Sequence, residues 1–239
     1  MTQDVQKETS LTILALDTST ESCSVALMTD GSTYQQQVDA PREHSQRLLP
    51  MVDSVLKQAQ VSLKDIELIA YGRGPGSFTG IRICTSMTQG LALGLNVPVI
   101  GISTLAAMAQ IAITEEGAKQ VLCAIDARMG EVYWGQFIDV NGMATLVGEE
   151  RVSRPEEVTM QLDAAVSIYC AGTGFDAYPE LLSLTDKMSL CEQAKFPKAS
   201  AMLALAQMGY QQGDATSVDE LAPVYLRDTV TWKKLPGRE

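Results

Sequence analysis

One histidine, His44, stands in a chain of 239 residues. That scarcity argues against a metal centre built on several imidazoles, and any Ser-His-Asp or Cys-His arrangement would have to use this one residue. It sits in a polar stretch, Arg42-Glu43-His44-Ser45-Gln46-Arg47, and reads as a helix-start or interface residue rather than a catalytic one. The five cysteines, Cys23, Cys84, Cys123, Cys170 and Cys191, are scattered and never spaced Cys-x-x-Cys. A disulfide frame and a zinc knuckle are both disfavoured, and the thiols read as small core residues in a reducing compartment. The first ten residues are polar and lack the apolar segment of a signal peptide. The longest apolar stretch, Leu91 to Ile113, is broken by Asn96, Pro98, Ser103, Thr104 and Gln110. It reads as a helix end, a strand and another helix rather than a membrane span, so the expected location is the cytoplasm, with no membrane partner.

Basic residues are few as well: 18 against 29 acidic ones, for a formal charge of −11. Such a balance opposes long-range attraction to a polyphosphate, since nucleic-acid affinity rests largely on phosphate neutralisation. An RNA partner would need a second protein to hold it. The C-terminal end departs from this balance, with Arg227, Lys233, Lys234 and Arg238 against Asp228 and Glu239, and is expected to be a solvated tail.

What is present begins with a repetition. Leu11 to Gly31 runs through an apolar stretch, an acidic turn at Asp17-Thr18-Ser19-Thr20-Glu21, a second apolar stretch and a closing Asp30-Gly31. Val121 to Gly142 has the same order of parts around Asp126. Each reads as a β-hairpin whose first strand ends in Asp, and the pair predicts a duplicated α/β architecture with a cleft between two lobes. The lobes are expected at 11–108 and 109–232, with tails at 1–10 and 233–239. A helix near 199–213 is placed in the second lobe, its packing back on the first left open.

Two further helices are expected, about Ser45 to Gln60 and about Phe78 to Leu95. In the first, Leu48, Leu49, Met51, Val52, Val55, Leu56 and Ala59 fill an arc of roughly 160°, wider than the roughly 100° stripe a surface helix needs for its own core. The extra width calls for another partner. In the second, Gly80, Gly90 and Gly94 fall near one another and permit close approach of another backbone. Strands are expected at Ile66 to Tyr71, Asn96 to Ile102 and Val166 to Ala171, and a helix around Arg154 to Leu162. Asp17-Thr18-Ser19-Thr20 suits either a magnesium-held phosphate or an Asx-type turn without ligand. The glycines of Gly72-Arg73-Gly74-Pro75-Gly76-Ser77 could form an anion-binding nest, yet the run matches neither specific nucleotide signature. Gly172-Thr173-Gly174 is enough for a tight turn.

Several of these segments together resemble the TsaB (YeaZ) family: Ile13 to Glu21, Pro41 to Val52, Tyr71 to Arg82, Ile125 to Tyr133 and Pro223 to Arg227. The run Gly72-Arg73-Gly74-Pro75-Gly76-Ser77-Phe78-Thr79-Gly80-Ile81-Arg82 is the most specific of them. The resemblance implies an actin/Hsp70-like (ASKHA) two-lobed fold and a place in the bacterial machinery that installs threonylcarbamoyladenosine in tRNAs reading A-starting codons. In that family the subunit partners its paralogue TsaD, which carries the catalytic metal, while TsaC supplies threonylcarbamoyl-AMP and TsaE is an ATPase that joins the pair. The paralogue's His-x-x-x-His ligands fall here on Thr104 and Met108, which replace imidazole poorly, so no metal and no catalytic residue are expected. The implied interface lies on the two helices, at His44, Leu48, Met51, Val52, Val55, Gly80, Met87, Gly90, Leu91 and Gly94, packing as a four-helix bundle on TsaD or, without it, on a second copy. Asp17, Thr18, Ser19, Thr20, Gly74 and Gly76 are then a vestigial phosphate loop. No stably bound cofactor is implied; weak ATP or ADP with magnesium at a subunit interface stays open, and tRNA is met only through the complex. The other readings are a stand-alone phosphotransferase or glycoprotease-like peptidase, and a homodimeric resuscitation or signalling factor.

Overall fold

Among the described residues, 11–227 of a computed structural model, ten strands form two sheets with the same strand order. In the first, β1 (Ile13–Asp17), β2 (Ser22–Thr29) and β3 (Ser32–Asp39) make an antiparallel meander, and β4 (Leu68–Gly74) and β5 (Val99–Ser103) continue parallel from β1. In the second, β6 (Gln120–Arg128), β7 (Glu131–Val140) and β8 (Met143–Ser153) repeat the meander, and β9 (Ile168–Ala171) and β10 (Met188–Leu190) repeat the parallel pair. The orders β3-β2-β1-β4-β5 and β8-β7-β6-β9-β10 correspond strand for strand, which is the duplicated α/β architecture the repeated hairpin predicts and the actin/Hsp70-like two-lobed fold the resemblance implies. Local chemistry sets the turns: Asp30-Gly31 and Asn141-Gly142 both hold the positive φ that a two-residue hairpin loop requires.

The lobes differ in their helices. The first carries α1 (His44–Ala59) and α2 (Phe78–Leu95); α2 starts where the Ser77 hydroxyl accepts from the Gly80 N–H and stops at Asn96 in the left-handed conformation. In the second lobe the corresponding connections hold only 3₁₀ turns at Pro155–Glu157 and Pro179–Ser183 and the four-residue α4 (Gly174–Ala177). The helix expected around Arg154 to Leu162 is therefore not formed. Its backbone is satisfied by buried side chains instead: Gln136 Nε2 donates to Thr159 O (2.9 Å) and Gln136 Oε1 accepts from Gln161 N (2.8 Å), while Gln120 holds both backbone groups of Asp163.

α3 (Thr104–Glu116) and α5 (Ala199–Gln212) form the centre. α3 is apolar almost all round and packs on strands of both sheets, so the expected boundary at 108/109 falls inside a shared core. α5 lies on β1, β2 and β5 of the first sheet, tied there by Ala199 N donating to Ser24 Oγ at 3.0 Å. α1 and α2 cover the outer face of the first sheet over a separate cluster that includes Leu14, Leu16, Val25 and Ile69. Among the described residues no helix is long and apolar enough to cross a membrane. Lys233, Lys234, Arg238 and the expected tails at 1–10 and 233–239 lie outside the described residues.

Candidate functional site

The two repeated turns, β1–β2 and β6–β7, line a cleft of about 1430 Å³ between the lobes. Arg128 spans it, with Nη2 3.3 Å from Glu21 of the opposite turn. The chain's C-terminal segment closes one side. Tyr71 OH donates to Ala222 O and accepts from Ala222 N, Val224 N donates to Arg73 O (2.8 Å), and the Arg227 guanidinium engages Glu131 and the Ala127 carbonyl. Arg227 is thus docked in the cleft rather than part of a solvated tail, as its composition alone implied.

Both strand-end carboxylates turn back on their own loops. Asp17 is 1% exposed; its Oδ1 accepts from Ser19 N (3.1 Å), and the Ser19 hydroxyl, 2.9–3.0 Å away, donates to the carboxylate. Burial pushes the Asp17 carboxyl up to about 6 against these hydrogen bonds. Strand β4 crosses so closely that a Cβ on Gly72 would lie 1.9 Å from Asp17 Oδ2. Asp126, the counterpart in the second lobe, accepts from Arg128 N (2.8 Å) and pairs with the Arg128 guanidinium (2.8 Å). Each carboxylate has the geometry of an Asx turn.

The glycine loop is likewise occupied by packing. Ser77 N donates to Ser19 O (2.7 Å), and Thr18 Oγ1 donates to Gly80 O (2.8 Å). A Cβ on Gly76 or Gly80 would lie 2.2 Å from Ser19 O or 2.0 Å from Thr18 O, so glycine is required by backbone approach within the lobe. Gly74, at φ +101°, sits against Val224 O and Ile81. Thr20 is buried, its hydroxyl accepting from Ser22 N. The loop residues are brought together, but their contacts are with one another.

The expected interface divides in two. His44, Leu48, Met51, Val52 and Val55 are all buried in their own lobe, and Gly80 is buried against Thr18. These six do not present a free surface: α1 spends its wide apolar arc on β2, β3 and the flank of α2, which is why the arc exceeds that of a helix lying on one flat sheet. Burial holds the His44 imidazole below its ordinary value, against the Thr20 backbone and the carboxylates of Glu21 and Asp39, and its Nδ1 has no hydrogen-bond partner among the described residues. Met87 and Leu91 are half-buried against the same cluster. Gly90 and Gly94 are exposed, with open space where a Cβ would stand. Leu49, from the predicted apolar arc of α1, is 44% exposed, and Leu93 is 58% exposed; periodicity did not single out Leu93, because it shares the polar side of α2 with Gln89.

Thr104 and Met108 are buried; Thr104 Oγ1 donates to Ser19 Oγ at 3.0 Å and Met108 packs in the central core. Among the described residues no three His, Cys, Asp or Glu side chains are grouped where they could hold a metal ion. All five cysteines are buried, and burial raises each thiol, Cys23 and Cys170 to about 12. A thiolate nucleophile is not favoured at any of them.

Residues 33–235 match the family model of TsaD, tRNA N6-adenosine threonylcarbamoyltransferase. The chain is 47% identical over 229 residues to the tRNA threonylcarbamoyladenosine biosynthesis protein TsaB of Escherichia coli (strain K12), covering 95% of this chain and 99% of that protein. To the protein of the same name in Haemophilus influenzae it is 44% identical, covering 96% and 99%. The crystal structure of YeaZ from Pseudomonas aeruginosa superposes with a TM-score of 0.85 at 44% identity, over 91% of this chain and all of that one. With likeness of this degree along nearly its whole length, the chain belongs to the TsaB (YeaZ) family.

Proposed function

We propose that the protein is a non-catalytic cytoplasmic subunit of tRNA threonylcarbamoyladenosine synthesis that binds TsaD, with TsaE joining the pair, and supports the partner's chemistry on tRNA. The observation that carries this reading is the strip on α2 and the edge of α1: exposed Leu49 and Leu93, open Gly90 and Gly94, and half-buried Ile83, Met87 and Leu91 beside them. Exposed Leu93 beside two glycines that leave room for a neighbouring backbone, with exposed Leu49 on α1, makes a helix-packing surface without a mate among the described residues. Without TsaD the same strip pairs with a second copy. The sealed Asp17, the Arg128-paired Asp126 and the raised thiols support a supporting role over a phosphotransferase or a peptidase.

Co-expression of the chain with TsaD, followed by affinity capture, tests the contact. Stable co-purification is expected, together with loss of threonylcarbamoyladenosine from tRNA in cells depleted of the protein. Normal modification in depleted cells would overturn the reading in favour of a signalling role, and ATP or peptide hydrolysis abolished by Asp17→Asn would overturn it in favour of an enzyme.

A further inference from the structure

Apart from Ile83 at its rim, the inter-lobe cleft takes no part in the proposed partner contact, and its lining is unlike the rest of this acidic chain. Among the described residues, four of the eight arginines line it and none of the six lysines does. Arg128 and Arg227 are engaged by carboxylates, whereas no ion pair among the described residues holds Arg42 or Arg82. The Arg82 guanidinium lies 3.9 Å over the Phe78 ring and its Nε donates to Tyr225 OH at 3.2 Å; the Phe78 and Tyr225 rings are 5.3 Å apart. Phe78 and Tyr225 stay 55% and 40% exposed. Planar guanidinium groups fork phosphate oxygens and open aromatic rings stack bases, while lysine supplies neither geometry.

Two features decide which phosphate compound fits. A nucleoside triphosphate needs a divalent cation on its phosphates, and the two strand-end carboxylates that could hold one are taken, Asp17 by Ser19 and Asp126 by Arg128. A phosphodiester carries a single charge per unit and is matched by arginine alone. The volume, about 1430 Å³, also exceeds the roughly 300–1,000 Å³ of drug-sized ligand sites. We infer that the cleft holds one or two nucleotides of a single-stranded RNA, with phosphates at Arg42 and Arg82 and a base against the exposed parts of the Phe78 and Tyr225 rings. The choice of RNA rests on the tRNA-modification reading above. With a net charge of −11 the chain alone binds weakly, and the contact gains weight once a partner holds the RNA.

The test is fluorescence anisotropy of a short, unstructured, fluorescein-labelled oligoribonucleotide titrated with the full chain at several low salt concentrations. Saturable binding is expected. Arg42→Gln, an exposed position that leaves the fold intact, should flatten the slope of log K against log salt by roughly 0.7, the share of one single-strand phosphate contact. Phe78→Ala and Tyr225→Ala should each weaken binding about tenfold. No saturable binding, identical isotherms for the parent and these variants, or displacement of the oligonucleotide by stoichiometric magnesium-ATP would overturn the inference. TsaD capture by Arg42→Gln separates the two proposals: capture retained with unaltered RNA binding sinks only this one, whereas RNA binding by a parent chain that never captures TsaD sinks the partner reading instead.

Discussion

Arg73 Nη2 lies 3.2 Å from Glu150 Oε2, so strand β4 of the first sheet is joined by an ion pair to strand β8 of the second. The other Glu150 oxygen accepts from Ser103 Oγ, the hydroxyl that also caps α3 by accepting from Ala106 N at 3.2 Å. One carboxylate therefore links both lobes to the start of the helix they share. Its side chain is 7% exposed against 29% for Arg73. Glu150→Gln preserves the shape but leaves Arg73 without its counter-charge. Because Arg73 is partly solvated, the expected loss is about 1–3 kcal/mol, below that of a fully buried pair. Urea unfolding checks this; an unchanged midpoint at unchanged m-value would mean the pair contributes nothing.

Asp17 makes a prediction opposite to that for a catalytic aspartate. Its folded-state value is raised from 3.8 to about 6 by burial. The stability tied to its protonated form is fully present below about pH 4 and is lost as pH rises through about 6. At neutral pH the buried charge thus costs up to about 3 kcal/mol by linkage. Asp17→Asn can still accept from Ser19, so it should raise stability at pH 7.5 and match the parent near pH 4. Chemical denaturation at the two pH values decides it, and a variant less stable at pH 7.5 would show that the ionised carboxylate is needed.

His44 titrates in the other sense. Its folded-state value is lowered by burial, so the unfolded chain takes up the proton first, and native stability falls as pH drops below the ordinary 6.5. The chain has only this histidine, and NMR of its ring protons reports one titration without assignment ambiguity. The midpoint is expected below 6.5. A midpoint above it would mean that Glu21 and Asp39 outweigh desolvation.

What could be read from the sequence divides along physical lines. The Asp17 and Asp126 turns repeat visibly because their chemistry selects a backbone conformation locally, and the closing Asp30-Gly31 and Asn141-Gly142 pairs turn the chain into β3 and β8 by the same means. Long-range satisfaction is invisible at that level. Nothing near Thr159 foretells that Gln136, over twenty residues earlier, takes the hydrogen bonds a helix would have made. Nor does anything place Tyr225 against Phe78, far apart in the chain. Periodicity finds the apolar arc of α1 but not what covers it; the lobe itself covers Val52 and Val55, and the free apolar surface moves to Leu49 and Leu93.

That shift yields the most exposed prediction. Val55, on α1, is fully buried against the first lobe's core, and an unpaired carboxylate there costs several kcal/mol, a large part of the 5–15 kcal/mol that holds a domain together. Val55→Asp should therefore unfold or severely destabilise the lobe, and loss of TsaD binding in it would carry no information about an interface. Leu93, 58% exposed on α2, can take a carboxylate into water, so Leu93→Asp should change stability by no more than about 0.5 kcal/mol. In a partner contact that leucine is desolvated, and a charge there should weaken capture at least about tenfold, equivalent to about 1.4 kcal/mol. Circular dichroism and melting establish which variants fold, and sedimentation and TsaD capture establish which still associate. A folded Leu93→Asp chain that self-associates and captures TsaD as the parent does would place the interface away from the α2 strip.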